Sequence, residues 1–307
     1  MSATRSGQEM KQPVISVFGG SGFLGQAITQ ALVAVDMNVR VIARHPGKTK
    51  LPPGAEFFQA DIRREDEVTA ALQGASAAVN AVSLYAEPRG GPSFEDIHVS
   101  AAERLARCVR TADTQRLVHV SGIGVNPNSP SRYVRARTAG EARVREALPE
   151  TVVLRPSVLF GRGDAFLSAL AQVARLPFAP LFGHGDTRLQ PVYVHDVAAA
   201  VAQVLQREDT SGQIHELGGP TVHSYRDLVR IVQGHYGHRR PLLPVPFSVW
   251  LSLGSLAALL PNPPLTRDQI ILMQDDNVVG TAQRTFADLG IAPSAIEDKL
   301  DECLGRR

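Results

Sequence analysis

Cysteine is scarce in this chain. Cys108 and Cys303 are the only two among 307 residues, and they lie far apart in no metal or redox spacing. That removes a thiolate metal centre from consideration, and a reducing compartment is the simpler setting. No metal site is expected. Charge of one sign is lacking too. A formal net charge of +2 gives no argument for a nucleic-acid partner or an anionic membrane surface. No stretch offers about 18 consecutive apolar residues, so no segment is expected to span a bilayer as a helix. Residues 1–13 are polar and irregular without an apolar h-region, and read as a loose tail rather than a secretory signal. No internal repeat is visible. What is present, 44% apolar and 20% charged residues, suffices for an ordinary core. The length suits one large α/β domain, or such a domain with a smaller lobe. The expectation is a soluble protein on the cytoplasmic side.

The densest information lies in residues 14–25. An apolar run, Val14 to Phe18, predicts a buried strand, and Phe23, Leu24, Ala27, Ile28, Ala31 and Leu32 predict a helix directly after it. Between them stand Gly19, Gly22 and Gly25. Strand, glycine turn and helix start are the parts of a dinucleotide-binding unit. There the first glycine permits the tight turn, the second lets a pyrophosphate approach the backbone, and the third lets helix lie close on strand. The unpaired N–H groups and positive end of the helix favour phosphate charge. The spacing is GxxGxxG rather than GxGxxG, and an ordinary glycine-rich turn is the competing reading.

Further strands are expected at Asn38–Arg44, Glu56–Ala60, Ala77–Val82, Arg116–Ser121 and Thr151–Leu154. Helices are expected at Glu65–Leu72, Phe94–Thr111 and about Ser131–Ala147. This alternation implies an α/β, Rossmann-like, doubly wound parallel sheet with its ligand at the carboxyl ends of the strands. Past Arg155 the alternation loosens and Pro and Gly cluster. Residues 14–160 are therefore read as the dinucleotide-binding domain and 161–307 as a smaller C-terminal lobe closing over the cofactor, the two forming one intimate unit. Asp196 is expected to cap a helix from Val197 to Leu205 rather than to form a catalytic pair with His195.

With these residues placed, the chain resembles an extended or atypical short-chain dehydrogenase/reductase of the epimerase/dehydratase kind. The resemblance is carried by Gly19-Gly20-Ser21-Gly22-Phe23-Leu24-Gly25, Asp61-Ile62, Val118-His119-Val120-Ser121, Tyr133, Arg155-Pro156-Ser157-Val158-Leu159-Phe160-Gly161 and Pro191 to Val197. A narrower likeness is to the NAD(P)H-binding accessory subunits of respiratory complex I and their bacterial relatives. It rests on His119 to Pro130, Glu216 to Pro220, Leu265 to Gln269 and Asp276 to Val279. The resemblance implies that a nicotinamide dinucleotide is held by the glycine turn, Asp61, Ile62, Ala81, Val82, Ser83, Tyr133, Arg137, Pro156 and Val158.

The choice between NAD(H) and NADP(H) turns on the end of the second strand. An acidic residue there would accept from the ribose 2′-hydroxyl. This chain has Arg44 and His45, with Lys48 beyond. A guanidinium pairs with phosphate in a fork, so Arg44 and Lys48 favour NADP(H). A solvated basic loop is the alternative, and NAD(H) stays open. Asp61 is read as an acceptor for the adenine amine, as a helix N-cap ahead of Glu65, or as both.

Active members carry a Ser, a Tyr and a Lys four residues after the Tyr. Ser121 and Tyr133 fit, but the lysine position holds Arg137, which is bulkier and effectively never deprotonated. His98 stands where an asparagine is frequent, and is expected to take a local partner. Tyr133 is read either as a proton donor or as a hydrogen-bonding wall of the pocket. Residues Pro241 to Thr266 contain no charge, and their core Phe247–Leu260 is either a helix packed on the lobe or an apolar face for a membrane respiratory complex or lipid surface. The leading expectation is an NADP(H)-binding protein with weak or no turnover, peripheral to the inner membrane. An active reductase, epimerase or dehydratase using Tyr133 and Arg137 is the alternative, and a soluble sensor of the NADP/NADPH ratio the third.

Overall fold

The computed structural model describes residues 14–46, 50–112, 114–257 and 265–305. The 1–13 tail, Lys48 and residues 258–264 of the uncharged segment lie outside the described residues.

Strand β1 (Val14–Phe18) is apolar along its length because both its faces are covered: Ile15, Val17 and Phe18 are buried, and Ser16 donates to the Ala71 carbonyl at 2.7 Å. Helix α1 (Phe23–Ala34) buries Leu24, Gly25, Ala27, Ile28 and Leu32 along one stripe. There follow β2 (Asn38–Ala43), β3 (Ala55–Gln59), α2 (Glu65–Leu72) and β4 (Ala75–Asn80). The expected fourth strand is thus shifted two residues earlier. Gly74, at φ +70°, turns the chain straight into pairing, with Ala75 opposite Val14, and residues 81–83 are released from the ladder.

The expected helix 94–111 opens as a π-helical stretch, Glu95–Ala101, before continuing as α3 (Ala102–Thr111). Next come β5 (Arg116–Val120) and α4 (Arg132–Ala147), which Ser131 caps by accepting from the Val134 N–H. Strand β6 (Val152–Pro156) runs two residues further than expected, since it gains a partner on its far side. That partner, β11 (Ile214–Leu217), is a seventh strand not anticipated, because His215 and Glu216 interrupt its apolar run.

Between them lie β7 (Leu159–Phe160), α5 (Ala165–Arg175), β8 (Ala179–Phe182), β9 (Arg188–Leu189), β10 (Val192–Tyr193) and α6 (Val194–Gln206). Helix α6 starts three residues before the expected Val197 and has Tyr193 at its N-cap position. Asp196 therefore lies inside the first turn and does not cap it. Its carboxylate instead accepts from the Ser294 N–H at 2.6 Å. The chain ends with β12 (His223–Ser224), α7 (Tyr225–His235), β13 (Leu242–Val245), α8 (Phe247–Ala257), α9 (Arg267–Leu272) and α10 (Ile296–Leu304).

The seven strands are all parallel, in the order β11-β6-β5-β4-β1-β2-β3. Helices α1 and α6 cover one face with a core that includes Ile15, Val17, Ile28 and Val201. Helices α2, α3 and α4 cover the other around Phe18, Ile42, Leu72, Leu105 and Val144. The winding reverses between β1 and β4. The crevice at their carboxyl ends is where such sheets take ligands.

Close approach fixes how α4 packs against the π-helical stretch. A Cβ at Gly140 would sit 1.7 Å from the His98 carbonyl oxygen, a distance no repacking of side chains can relieve. Gly140→Ala should therefore destabilise the fold by about 2 kcal/mol or more, the scale of a strained overpacking. Chemical denaturation checks this. An unchanged midpoint would mean that α4 and the π-helical stretch are not in such contact.

Candidate functional site

The glycine turn presses against the exit of β4. Gly19 has φ +78°, and a Cβ on it would lie 2.9 Å from the Ala81 and Val82 backbone. A Cβ on Gly25 would lie 2.1 Å from the Gly19 carbonyl oxygen, so α1 can rest on the turn only without one. Gly22 is different. Its φ is −77°, and an added Cβ would meet only the Gly19 oxygen, at 3.2 Å. The constraint is looser than at Gly19 or Gly25, since one backbone oxygen would have to give by a few tenths of an ångström.

Helix α1 has no side-chain cap and no acidic residue in its first turn. Its positive end is therefore left to an anion from outside, and backbone N–H groups at a bare glycine turn suit a pyrophosphate. The donor set thus fits a dinucleotide. Gln26 donates to the Ser21 carbonyl at 2.8 Å and braces the turn. A small cavity of about 50 Å³ opens beside it, bounded by Gly20, Ser21, Val41, Pro46, Leu51 and Phe57. Phe23 reaches across to Gly161, where a Cβ would lie 3.0 Å from its ring.

Arg44 follows β2 and is exposed, and among the described residues it forms no ion pair. Its charge reaches Asp61. The Asp61 carboxylate is held below its ordinary range first by hydrogen bonds from Arg63, with Arg44 adding a weaker field. The Arg63 guanidinium lies 2.5 Å from Asp61, and the Arg63 N–H donates to it at 3.0 Å. Asp61 does not cap α2. Arg64 occupies the N-cap position without a side-chain cap, because the Asp61 carboxylate is spent on the local Arg63 pair. Ile62 is buried under α2. Past β4, the Ala81 N–H returns to the Phe18 carbonyl at 2.9 Å and the Val82 N–H to the Asn80 side chain at 3.2 Å. Ser83 follows them at the crevice.

On the other side of the crevice the first turns of α4 bring Tyr133 and Arg137 together. Arg137 donates to the Tyr133 hydroxyl at 2.5 Å, with its guanidinium carbon 5.3 Å from the ring centroid. The same guanidinium lies on Gly122, where a Cβ would be 3.1 Å from it, so it stands next to Ser121 in the chain. Ser121 Oγ is buried without a well-formed hydrogen bond, close enough to Glu141 to favour its charge. Tyr133 itself is buried among Tyr85, Phe94 and His98, with centroids 5.8, 5.6 and 5.3 Å away. His98 is turned to the Leu84 carbonyl at 2.9 Å, the local partner expected of it. Burial, aided by the Arg137 charge, pushes His98 down to about 4, and burial does the same to His119.

Beneath lies a buried ionic triad. Arg155 grips Glu141 with two nitrogens, at 2.5 and 3.0 Å, and reaches Glu216 at 3.3 Å. Burial opposes the Glu141 charge, but the Arg155 guanidinium outweighs it and leaves the carboxyl below its ordinary value. Burial likewise works against the Arg137 charge, and Tyr133, Tyr85 and Glu141 more than offset it.

Two contacts from the C-terminal part escape sequence reasoning. Asp268 in α9 accepts from the Ser131 hydroxyl at 2.8 Å and the Arg132 N–H at 2.9 Å, holding the start of the Tyr133 helix. Asn277 accepts from the Ser157 hydroxyl at 2.7 Å and the Val158 N–H at 2.9 Å, just past Pro156. Both acceptors stand more than 100 residues from their donors, and no local pattern announces them.

Comparison with known proteins agrees with the fold. The family described as NAD(P)H-binding matches residues 19–208. The mitochondrial NADH dehydrogenase (ubiquinone) 1 alpha subcomplex subunit 9 of Arabidopsis thaliana is 32% identical over 305 residues, spanning 92% of this chain and 75% of that protein. Its counterpart of the same description in Mus musculus is 30% identical over 302 residues, spanning 95% and 80%. Among solved structures, a UDP-glucose 4-epimerase from Thermotoga maritima with UDP-glucose superposes with a TM-score of 0.72 over 95% of this chain and 97% of that one. At 17% identity it shares the fold.

The depressed histidines set an acid limit. An imidazole that titrates near 6.5 when unfolded but near 4 when folded takes up a proton on unfolding below pH 6.5. Stability should therefore be flat above about pH 6.5 and fall between pH 6.5 and 4, by up to about 1.4 kcal/mol per pH unit for each such group. His98 and His119 both qualify, and burial depresses His215 as well. His119→Gln should flatten the decline between pH 6.5 and 5, where carboxylates contribute little. Denaturation midpoints across that range would contradict the assignment if the slopes coincided.

Proposed function

This chain belongs to the NAD(P)H-binding short-chain dehydrogenase/reductase family, in the branch that includes complex I accessory subunits, and from that premise we propose that it retains NADP(H) with weak or no turnover as a peripheral partner of a membrane respiratory complex. The observation that carries the nucleotide part is the uncapped start of α1 at the reversal of the sheet, beside a turn too closely packed for side chains at Gly19 and Gly25. The pyrophosphate would lie on Gly19, Gly20, Ser21, Gly22, Phe23, Leu24 and Gly25. Adenosine would extend toward Arg44, Asp61 and Ile62, and the nicotinamide past Ala81, Val82 and Ser83 toward Tyr133, Arg137, Pro156 and Val158. When bound, the nucleotide could supply or accept a hydride. The NADP(H) preference rests on Arg44, a basic group with no acidic residue beside it at the end of β2.

Low turnover follows from what Arg137 does. It donates to the hydroxyl that would have to act as proton donor, and a guanidinium cannot relay protons as an ammonium can. The peripheral role is supported by the names of the relatives and by the surface around α8. Trp250 docks this helix by donating to the Leu181 carbonyl at 2.9 Å and packing on Phe182. The outward side leaves Val249, Leu253 and Leu256 exposed by 43, 51 and 65%, and Phe178, just before β8, and Leu243 of the paired β13 are exposed too. Arg239, Arg240 and Arg267 flank the segment. No helix among the described residues is long and apolar enough to cross a membrane, so an interfacial or protein-bound face suits this surface. An enzymatic reading keeps one observation in its favour, the grouping of Ser121, Tyr133 and Arg137.

Gly22→Val should lower nucleotide affinity at least about tenfold, or about 1.4 kcal/mol, while the protein stays folded. Arg44→Glu should weaken NADP(H) far more than NAD(H), by about 1.5–3 kcal/mol. Titration calorimetry with both nucleotides checks both. Unchanged binding in the first variant removes the site, and equal losses in the second remove the preference.

Gently purified protein should release NADPH, identified by mass and absorbance, that a panel of carbonyl substrates does not oxidise. Arg137→Lys should leave turnover undetectable. A substrate-dependent oxidation by the unaltered protein that Tyr133→Phe abolishes would establish the enzyme instead, since one positioned acid is worth about 10²–10⁴ in rate.

A further inference from the structure

The turn after β6 carries two hydrogen-bond donors, the Ser157 hydroxyl and the Val158 N–H. A single atom, Asn277 Oδ1, takes both, at 2.7 and 2.9 Å. The neighbouring backbone groups are spent within the fold: the Ser157 N–H donates to the Leu217 carbonyl at 2.9 Å, and the Val158 carbonyl accepts from Val192 at 3.0 Å. Ser157 is buried. The hydroxyl also reaches the Asn277 main-chain carbonyl at 3.0 Å, so removing the side-chain acceptor would strand the Val158 N–H, and whatever displaces it must bring an oxygen acceptor of its own. Nicotinamide carries one, in the same functional group: its carboxamide is chemically the end of an asparagine side chain.

We propose that Asn277 is a built-in competitor for the nicotinamide end of the bound dinucleotide, its side-chain amide occupying the Ser157 and Val158 donors that the carboxamide takes when it enters. This rests on the reading above that Val158 faces the dinucleotide. Exchange of one amide oxygen for another is nearly neutral at those donors. The cost of entry is then the loosening of the segment that bears Asn277. That segment is held by bonds from the Asn277 N–H to the Arg188 carbonyl at 2.8 Å, from the Val279 N–H to the Gln190 side chain at 2.9 Å, and from the Gly280 N–H to Glu216 at 2.9 Å. Linkage makes the effect reciprocal: docking of the segment weakens the nicotinamide end, and nicotinamide loosens the segment by the same factor. The adenosine half, on the far side of the glycine turn, lies outside this competition.

Comparing NADPH with adenosine 2′,5′-bisphosphate, which lacks the nicotinamide, isolates the effect. In the unaltered protein the two should bind with similar affinity. Asn277→Ala should tighten NADPH about tenfold and leave the bisphosphate unchanged. Asn277→Asp keeps an acceptor and strengthens its bonds with charge, so it should weaken NADPH selectively. Hydrogen exchange of the full chain gives a readout free of mutation: the amides of 277–280 should exchange faster with NADPH than with the bisphosphate. An unchanged affinity ratio in Asn277→Ala, or slower exchange at 277–280 with NADPH, overturns the competition. Bisphosphate binding that remains sensitive to Gly22→Val would then show that the nucleotide site itself stands. Absence of binding by either ligand overturns both readings together.

Discussion

The grip of Arg155 on Glu141 and Glu216 is the interaction on which the rest of the site depends. Its three residues come from β6, α4 and β11, and all three side chains are nearly excluded from water. Removing one partner of such a group leaves an uncompensated buried charge, at a cost of about 3–5 kcal/mol. The triad therefore dictates geometry more than it adds stability. It sets the depth at which α4 sits on the sheet, and with it the position of Tyr133 and Arg137. It also fixes β11, whose Glu216 spends its second oxygen on the Gly280 N–H. Helix, sheet and the C-terminal segment that carries Asn277 are thus anchored to one guanidinium.

The opposite wall of the crevice is built by omission. Gly19 and Gly25 lack side chains because backbone stands where a Cβ would be. At Gly22 the constraint is looser, a Cβ meeting one backbone oxygen at 3.2 Å, and α1 begins with neither a side-chain cap nor an acidic residue. A helix start left this bare would ordinarily be a weakness, since its first N–H groups find no partner among the described residues. Facing a crevice at the reversal of the sheet, it becomes the part of the surface best prepared for an anion. One wall is thus stiffened by paired charge, and the other holds an unpaired partial charge ready.

What the sequence disclosed and what it hid divide along the range of the forces involved. The strand, glycine turn and α1, and helix α2 from Glu65 to Leu72, follow from local periodicity and match residue for residue at their cores. Strand β11 does not, because Glu216 looks like a loop residue until Arg155, 61 positions earlier, is seen to bury it. Asp61 and Asp196 both invite assignment as caps from their nearest neighbours. Arg63 takes the first, and Ser294, 98 positions away, takes the second. Within the site, the spacing of Tyr133 and Arg137 puts them on one helix face, and the direct bond between them follows from that. The roles of Asp268 and Asn277 rest on single acceptor atoms delivered across more than 100 residues, which periodicity cannot register.

The same physics bears on why an arginine stands at position 137. Two carboxylates, Glu141 and Glu216, share one guanidinium at Arg155, leaving the buried cluster one positive charge short. Arg137, whose charge Glu141 helps to sustain, is the nearby cation of the same helix, one turn before Glu141. A lysine there would carry a charge that burial can remove, whereas a guanidinium keeps its proton under any ordinary desolvation. The fixed charge steadies the ion cluster, and it adds to the burial that keeps His98 and His119 neutral. It also occupies the Tyr133 hydroxyl with a donor that cannot pass a proton on. A residue chosen for a constant charge suits a protein that holds a nucleotide better than one that turns it over.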